Sequence, residues 1–295
     1  MEQFIRPIFQ HHKLPTVKTI SPLSGGMVNP GYYVNDAFVI RFNHRDPHLA
    51  KYRRETIAYR HLNGVVPTPN LIVLDESRTL APTDVIILER VAGVNLDDAW
   101  ATLSTSQREA RTFDAGALLA QINAVQVEGK FGRLENATFD SWPAFLQSEL
   151  TMNLAEIAEL GLLDGVIIGR IHTRFDQMRS DLATVTTPFL IHGDYGRGNI
   201  NYANGQLNSV YDFEWATAGD PLFDFRNSDR SEADDFLTQD VFLDGYTSIG
   251  RFPPNAEQRI DLYRTLYCLE LLLVAHHNWG QEAVNWICGR IKNLV

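Results

Sequence analysis

At 295 residues the chain has room for one large domain or two modest ones around a real core, and 44% hydrophobic with 21% charged content is ordinary for a globular protein. No apolar run reaches about 18 residues, so no membrane partner is expected. The balance of 26 Lys+Arg against 36 Asp+Glu, net charge −10, argues against a nucleic-acid partner, because gripping phosphates takes an excess of cations. It is compatible with a cationic substrate, and equally with negative charge serving solubility alone. The N-terminal residues lack the basic, apolar, small-residue order of a secretory signal. Cys268 and Cys288 form neither a disulfide framework nor a metal spacing. A reducing, cytoplasmic setting is expected.

In chain order, strand-like segments occur at 19–23, 32–34, 37–42, 70–74 and 85–91, and Asn35-Asp36 between two of them is a two-residue hairpin signal. One helix interrupts them, with Asp46 as N-cap, Pro47 at the first helical position and a face of Leu49, Tyr52, Tyr59 and Leu62. After Gly93 the pattern turns helical. Ser106 with Glu109 reads as a capping box opening a helix to about Val125, and Ile168, Ile171, Phe175, Met178 and Leu182 mark another helical face. A short β-island follows at 189–191, 200–202 and 209–211, and apolar helices close the chain from about Gln258. The sum is an α+β chain, a small sheet-rich lobe (1–91) and a larger helical lobe (92–295), with a cleft between them and a hinge near 89–93.

The most informative stretch is Leu190-Ile191-His192-Gly193-Asp194-Tyr195-Gly196-Arg197-Gly198-Asn199, followed by Asp212-Phe213-Glu214. An apolar strand delivers Asp194 to a loop, Asn199 opens the next strand, and Asp212 closes a third apolar run. Phosphoryl transfer needs a carboxylate to orient the attacking hydroxyl and hard oxygen ligands for divalent cations on the β- and γ-phosphates. Asp194 would be the orienting base, with Asn199 and Asp212 the metal ligands. Taken singly, Asp194 and Asn199 are also ordinary turn residues.

The string resembles the aminoglycoside phosphotransferase family, relatives of choline, fructosamine and protein kinases. His192-Gly193-Asp194 with Asn199 is similar to its catalytic loop, Asp212-Phe213-Glu214 to its metal-binding segment, and Ala218-Gly219-Asp220-Pro221 with Asp224 to the run that follows. Within the family, the 194–199 loop and the Trp-containing final helix resemble the hygromycin B phosphotransferase branch. The resemblance implies a two-lobed protein-kinase-like fold and a transferase that uses ATP, or GTP, with Mg2+. The implied acceptor is a small hydroxylated molecule such as an aminoglycoside, which would make the chain an antibiotic-resistance enzyme. A metabolic kinase of choline, a sugar amine or an amino-alcohol shares every motif, and a catalytically dead kinase-fold binding module is the third reading.

The resemblance also implies parts in the first lobe. Ser24, Gly25 and Gly26 lie between two strands as a phosphate-covering loop would. Arg41 stands where a strand lysine would hold the α/β-phosphates, and Lys51 lies too far into the helix to replace it. Glu55, fourteen positions after Arg41, matches the helix glutamate that pairs with this cation. Adenine would bond backbone near Glu89 and Val91. Asp220 and Asp224 are read as braces for the catalytic loop, and His192 as a packed support. For the acceptor, the acidic run from Asp229 to Asp244, with Asp234 and Asp235 foremost, is a candidate surface, or a solvated face. Glu270 sits in an otherwise apolar helix, where a buried carboxylate needs a partner; a cationic substrate or a buried Arg would serve.

Overall fold

Side chains alternate across a strand, and this alternation sorts the first sheet into a core face and a charged face. The computed structural model describes residues 1–23, 29–228 and 235–295. After a first helix, α1 (Ile5–His11), all five expected strands form: β1 (Ile20–Pro22), β2 (Gly31–Val34), β3 (Phe38–Phe42), β4 (Leu71–Asp75) and β5 (Val85–Glu89). They make one antiparallel sheet in the order β1-β2-β3-β5-β4. The β2–β3 turn is built by Asn35 and Asp36, both at positive φ (55° and 52°), as a primed hairpin turn demands. Ile40 and Phe42 point into a core with Ile5, Ile8 and Phe9 of α1. Arg41, between them, therefore leaves β3 on the other face.

That face is met by α2 (Lys51–Leu62), whose buried side includes Tyr52, Glu55, Thr56, Tyr59 and Leu62. The helix starts later than the sequence suggests. Asp46 and Pro47 form a turn closed by the Leu49 N–H on the Asp46 carbonyl, and Ala50 is the N-cap. Proline suits that turn as well as it suits a helix start, and the Asp46 carboxylate is engaged by Lys51 Nζ at 2.9 Å.

The chain continues through β6 (Val94–Asn95), α3 (Leu96–Trp100), α4 (Thr105–Asn123), β7 (Gly132–Arg133), α5 (Trp142–Glu159) and α6 (Gly165–Leu182). The capping box of α4 is Ser104 with Gln107, two residues before the expected pair: the Ser104 N–H donates to Gln107 Oε1 at 2.9 Å. Then come β8 (Phe189–Ile191), β9 (Ile200–Ala203), β10 (Gln206–Val210), β11 (Thr217–Gly219), α7 (Asp240–Thr247), α8 (Ala256–Asn278) and α9 (Gln281–Leu294). The expected β-island is two sheets. The β9–β10 hairpin pairs with β6, whereas β8 pairs with β11 and β11 with β7.

The chain divides into two compact units, Met1–Arg111 with Gly196–Ala216, and Thr112–Tyr195 with Thr217–Val295. This differs from a single cut at 91/92: the change of unit falls within α4, and the β9–β10 hairpin returns to the first unit. Gly93 shows one reason. It sits at φ 115°, and a Cβ there would lie 2.4 Å from the Tyr202 carbonyl of β9, so β6 approaches the hairpin only without a side chain. Among the described residues no helix is long and apolar enough to cross a membrane.

Candidate active site

In the first unit, four acidic side chains gather around two buried cations. Arg41 Nη2 donates to Glu55 Oε2 (2.8 Å) and to Asp212 Oδ1 (3.0 Å), and lies 3.9 Å from Glu214 Oε2. Lys51, 1% exposed, reaches Asp46 and Glu214 Oε1 (3.5 Å) and lies over the Trp215 ring at 4.6 Å. The sequence alone places Lys51 too far into the helix to replace Arg41 and assigns Glu214 no task, yet both belong to this cluster. At the first residue of α2, a long flexible stem carries the Lys51 ammonium to a carboxylate that the strand cation also approaches.

Glu55 is fully buried, and burial, then the charges of Asp212 and Glu214, push its carboxyl up to about 7 against the pull of Arg41 and the Tyr59 hydroxyl, which donates to Oε1 at 2.5 Å. Burial and Asp212 likewise push Glu214 up. With Glu55 raised, the folded state holds a proton that the unfolded chain releases near its ordinary value. Its stability contribution is therefore present below about pH 4.5 and lost as pH rises through about 7. Glu55→Gln should flatten that slope in urea titrations run across this range, and an unchanged slope would remove Glu55 as its source.

Asp212 is 33% exposed and sits at φ 69°, a left-handed backbone that costs a non-glycine residue about 1 kcal/mol or more. Its Oδ2 accepts no hydrogen bond among the described residues. Asn199 is brought beside it by the ladder: the Tyr211 N–H donates to the Asn199 carbonyl at 3.1 Å, one rung beyond Ile200↔Val210. No three His, Cys, Asp or Glu side chains are gathered for a metal among the described residues. One carboxylate and one amide are nevertheless what Mg2+ takes when phosphate oxygens and water complete its shell. Burial is the larger cause of the rise in Glu55 and Glu214, and the negative charge of Asp212 that adds to it also suits a divalent cation. Asp212 and Asn199 fit the expected metal.

The second unit carries Asp194. The loop before it is held on every side. The Asp224 carboxylate accepts the N–H groups of His192 (3.0 Å) and Gly193 (2.7 Å) and the Asn123 amide (2.7 Å). His192 Nδ1 accepts the Asp194 N–H at 3.2 Å, and Arg226 Nη2 donates to the Gly193 carbonyl at 3.0 Å. Gly193, at φ 85°, makes the bend. Burial pushes Asp224 up, while His192, Asn123 and the two backbone N–H groups pull it back. Asp224 thus braces the loop. Asp220 does not touch it: its carboxylate takes Arg259 (2.9 Å) and the Tyr263 hydroxyl (2.7 Å) and caps the turn at Leu222. That ties the turn to α8 instead, because the two donors on α8 reach the start of the turn and not its end.

Of the acceptor candidates, Glu270 has the buried arginine as partner, Arg226 Nη1 at 3.5 Å. Asp235 turns Oδ1 onto the N–H groups of Leu237 and Thr238, as a capping residue does. Asp240 opens α7 and Asp244 lies along it. Asp234, and the loop residues Ser24, Gly25 and Gly26, lie outside the described residues. Glu89 ends β5, its N–H on the Asn70 carbonyl and its carboxylate on the Asn70 amide, and Val91 follows in the connection to β6.

The model of the phosphotransferase enzyme family, APH, matches residues 19–228. A probable ketoamine kinase of Staphylococcus aureus (strain NCTC 8325 / PS 47) is 25% identical over 304 residues, 93% of each chain. Among solved structures, a thermostable mutant of APH(4)-Ia in ternary complex with AMP-PNP and hygromycin B superposes with TM-score 0.73 at 19% identity, covering 97% of this chain and 96% of its own. The streptomycin-ATP ternary complex of APH(2'')-IIa gives 0.70 at 18%, covering 97% and 95%. These structures carry the fold, a kinase-like one with a sheet-rich N-terminal and a helical C-terminal part, and the family model carries the class of chemistry. The chain belongs to the APH phosphotransferase enzyme family, as a nucleotide-dependent small-molecule kinase.

Proposed function

We infer that the chain transfers the γ-phosphate of ATP or GTP to a hydroxyl of a small, cationic acceptor. Asp194 orients that hydroxyl and receives its proton, Asn199 and Asp212 hold Mg2+, and Arg41, with Glu55 behind it, takes the place of the phosphate-binding lysine. When bound, the metal supplies positive charge to the triphosphate. The observation that carries this reading is the mooring of Asp194, whose own N–H donates to His192 and whose preceding backbone groups are bonded to Asp224 and Arg226. A base must be held within tenths of an ångström of its task, and this loop is built to do so. Glu89 and Val91 remain the proposed adenine contacts, and Ser24, Gly25 and Gly26 the proposed phosphate cover. Asp234, Asp235 and Glu270 remain the proposed acceptor contacts, in a cytoplasmic enzyme.

Two acceptor classes follow from different observations. A ketoamine, a sugar carrying an amine, is favoured by a relative aligned along nearly the whole chain. An aminoglycoside is favoured by the fold neighbours, whose antibiotics give the resistance reading. An ADP-release screen with ketoamines, aminoglycosides and choline, each with ATP and with GTP, separates them. With a cationic acceptor, KM should climb with added KCl while kcat stays nearly flat, since exposed charge pairs are screened beyond about 8 Å at physiological salt. Turnover confined to a neutral acceptor, with a salt-independent KM, would overturn the cationic reading.

Arg41 offers a separate check on the nucleotide side. Arg41→Ala should weaken Mg·ATP binding by about tenfold or more, the worth of a bond to a charged group. Arg41→Lys should keep measurable binding through its charge, although it loses the fork shared between Glu55 and Asp212. Calorimetric titration of both variants reads the difference. Parent-like affinity in Arg41→Ala would place the phosphate cation elsewhere.

A further inference from the structure

Arg226 belongs to none of the motifs quoted above, yet its contacts are unlike those of a structural ion pair. It is 4% exposed, stacked between the rings of Phe223 (4.5 Å) and Tyr267 (5.2 Å). Its shortest bond goes to a backbone carbonyl, that of Gly193, at 3.0 Å; its carboxylate partner, Glu270, is at a long 3.5 Å. Its Nε has no hydrogen-bond partner among the described residues although it is buried. Arg259 shows the contrast in the same unit, bonded to Asp220 at 2.9 Å with Tyr263 completing the pair. A desolvated guanidinium with one distant counter-charge keeps much of its field, and in a low-dielectric interior that field acts strongly on nearby carboxylates. The next residue after its backbone anchor is Asp194. Burial first, and then the charge of Asp194, push the Tyr267 hydroxyl up to about 12, while Arg226 pulls it down, so ring, cation and both carboxylates share one electrostatic neighbourhood. The charged and titratable groups facing this corner include His192, Asp194, Asp224, Arg226, Tyr267, Cys268, Glu270 and Arg133.

We propose that Arg226 is a positioning residue for phosphoryl transfer, fixing the Gly193–Asp194 peptide with one edge of its guanidinium and coupling that loop to Glu270 with the other. The proposal rests on the reading of Asp194 as the base. It makes Glu270 a group whose charge is felt at Asp194 through Arg226, so that an acceptor amine drawing on Glu270 would leave more of the guanidinium's field for Asp194.

The test needs no identified acceptor. The probe is Mg·ATP with water as the acceptor, together with carbon-13 titration of the Asp194 carboxyl, its resonance assigned by its absence in Asp194→Asn. Arg226→Met should lower the hydrolysis rate by about 10²-fold, the scale of a 1 Å misplacement of a reacting group, with the Kd of Mg·ATP unchanged. Loss of the cation should also move the Asp194 titration to higher pH. Arg226→Lys should return the titration toward the parent value while restoring the rate only in part. Glu270→Gln should move the titration to lower pH, the opposite direction, because Arg226 then acts undivided. A merely structural Arg226 would lower the melting temperature and the rate without moving the titration, and that result overturns the proposal. Should Arg226→Met fail to fold, Arg226→Lys and Glu270→Gln decide: an Asp194 titration unmoved in Glu270→Gln, with a parent-like rate in Arg226→Lys, overturns it equally. Asp194→Asn separates the two failures. If that variant is inactive while the Arg226 variants behave as the parent, the base stands and the positioning role falls; if it hydrolyses ATP at the parent rate, the base itself is misassigned.

Discussion

Asp194→Asn is expected to lower kcat by about 10²-fold or more, the usual scale for lost acid–base assistance, while the affinity for Mg·ATP stays close to the parent's. The substitution is nearly isosteric, so the physical argument is narrow. An amide orients a hydroxyl but takes no proton from it. The backbone that presents residue 194 is held by groups the substitution leaves alone, the Asp224 carboxylate on the N–H groups of His192 and Gly193 and the Arg226 guanidinium on the Gly193 carbonyl. The loop should keep its course, and the loss should appear in kcat rather than in KM or in stability. Steady-state kinetics with the acceptor found by the ADP-release screen, beside calorimetric binding of Mg·ATP, measure both quantities. Full turnover in Asp194→Asn would show that the loop serves another purpose.

The second large effect is expected at Asp212. Asp212→Ala should weaken Mg-dependent ATP binding by at least about 10²-fold, since even outer-shell partners of a metal are worth about 10 to 100-fold and this carboxylate is read as a direct ligand. Two side effects must be separated from that loss. Arg41 would lose one of its carboxylates and keep Glu55. Alanine at φ 69° would also bear the left-handed strain without the short polar side chain that makes it tolerable. Asp212→Gly relieves that strain and still lacks the carboxylate, so it should bind Mg·ATP as poorly as the alanine variant while unfolding at higher denaturant. Unchanged magnesium dependence in both variants would sink the metal assignment.

Where the sequence was readable, a local rule and the tertiary context agreed. The five strands of the first sheet carry β-branched and aromatic residues between turn signals, and Asn35-Asp36 is one of the few dipeptides that accepts two positive φ angles, so its hairpin was visible outright. Arg41 and Glu55 could be paired because the family pattern spaces them, and the 2.8 Å ion pair forms. Reading failed where a rule had two valid uses or too few residues to act on. Asp46-Pro47 suits a turn as well as a helix start. Strands β7 and β11 are two and three residues long, too short for any alternation, so the sheet that claims β8 left no trace. Arg226 left none either: a guanidinium beside a loop carbonyl has no sequence spacing, and only the unpaired look of Glu270 hinted that a cation was near.

The return of the 196–216 hairpin to the first unit has a consequence for the birth of the protein. That unit is discontinuous in sequence, so a ribosome that has delivered its first 111 residues has delivered the five strands of the first sheet and β6, but not the hairpin that brings Asp212 and Glu214. Arg41 still lacks Asp212, and Lys51 still lacks Glu214 and the Trp215 ring against which it is buried. Two cations destined for the interior must wait with only Glu55 and Asp46 as carboxylate partners while residues 112–195 of the other unit are made. The first 111 residues are therefore not expected to serve as an early-folding module on which the rest is laid down. The charge cluster around Arg41 and Lys51 is completed only when residue 216 emerges, by which time the stretch carrying Asp194 has already been made, and a fragment ending at Arg111 should remain unfolded in isolation.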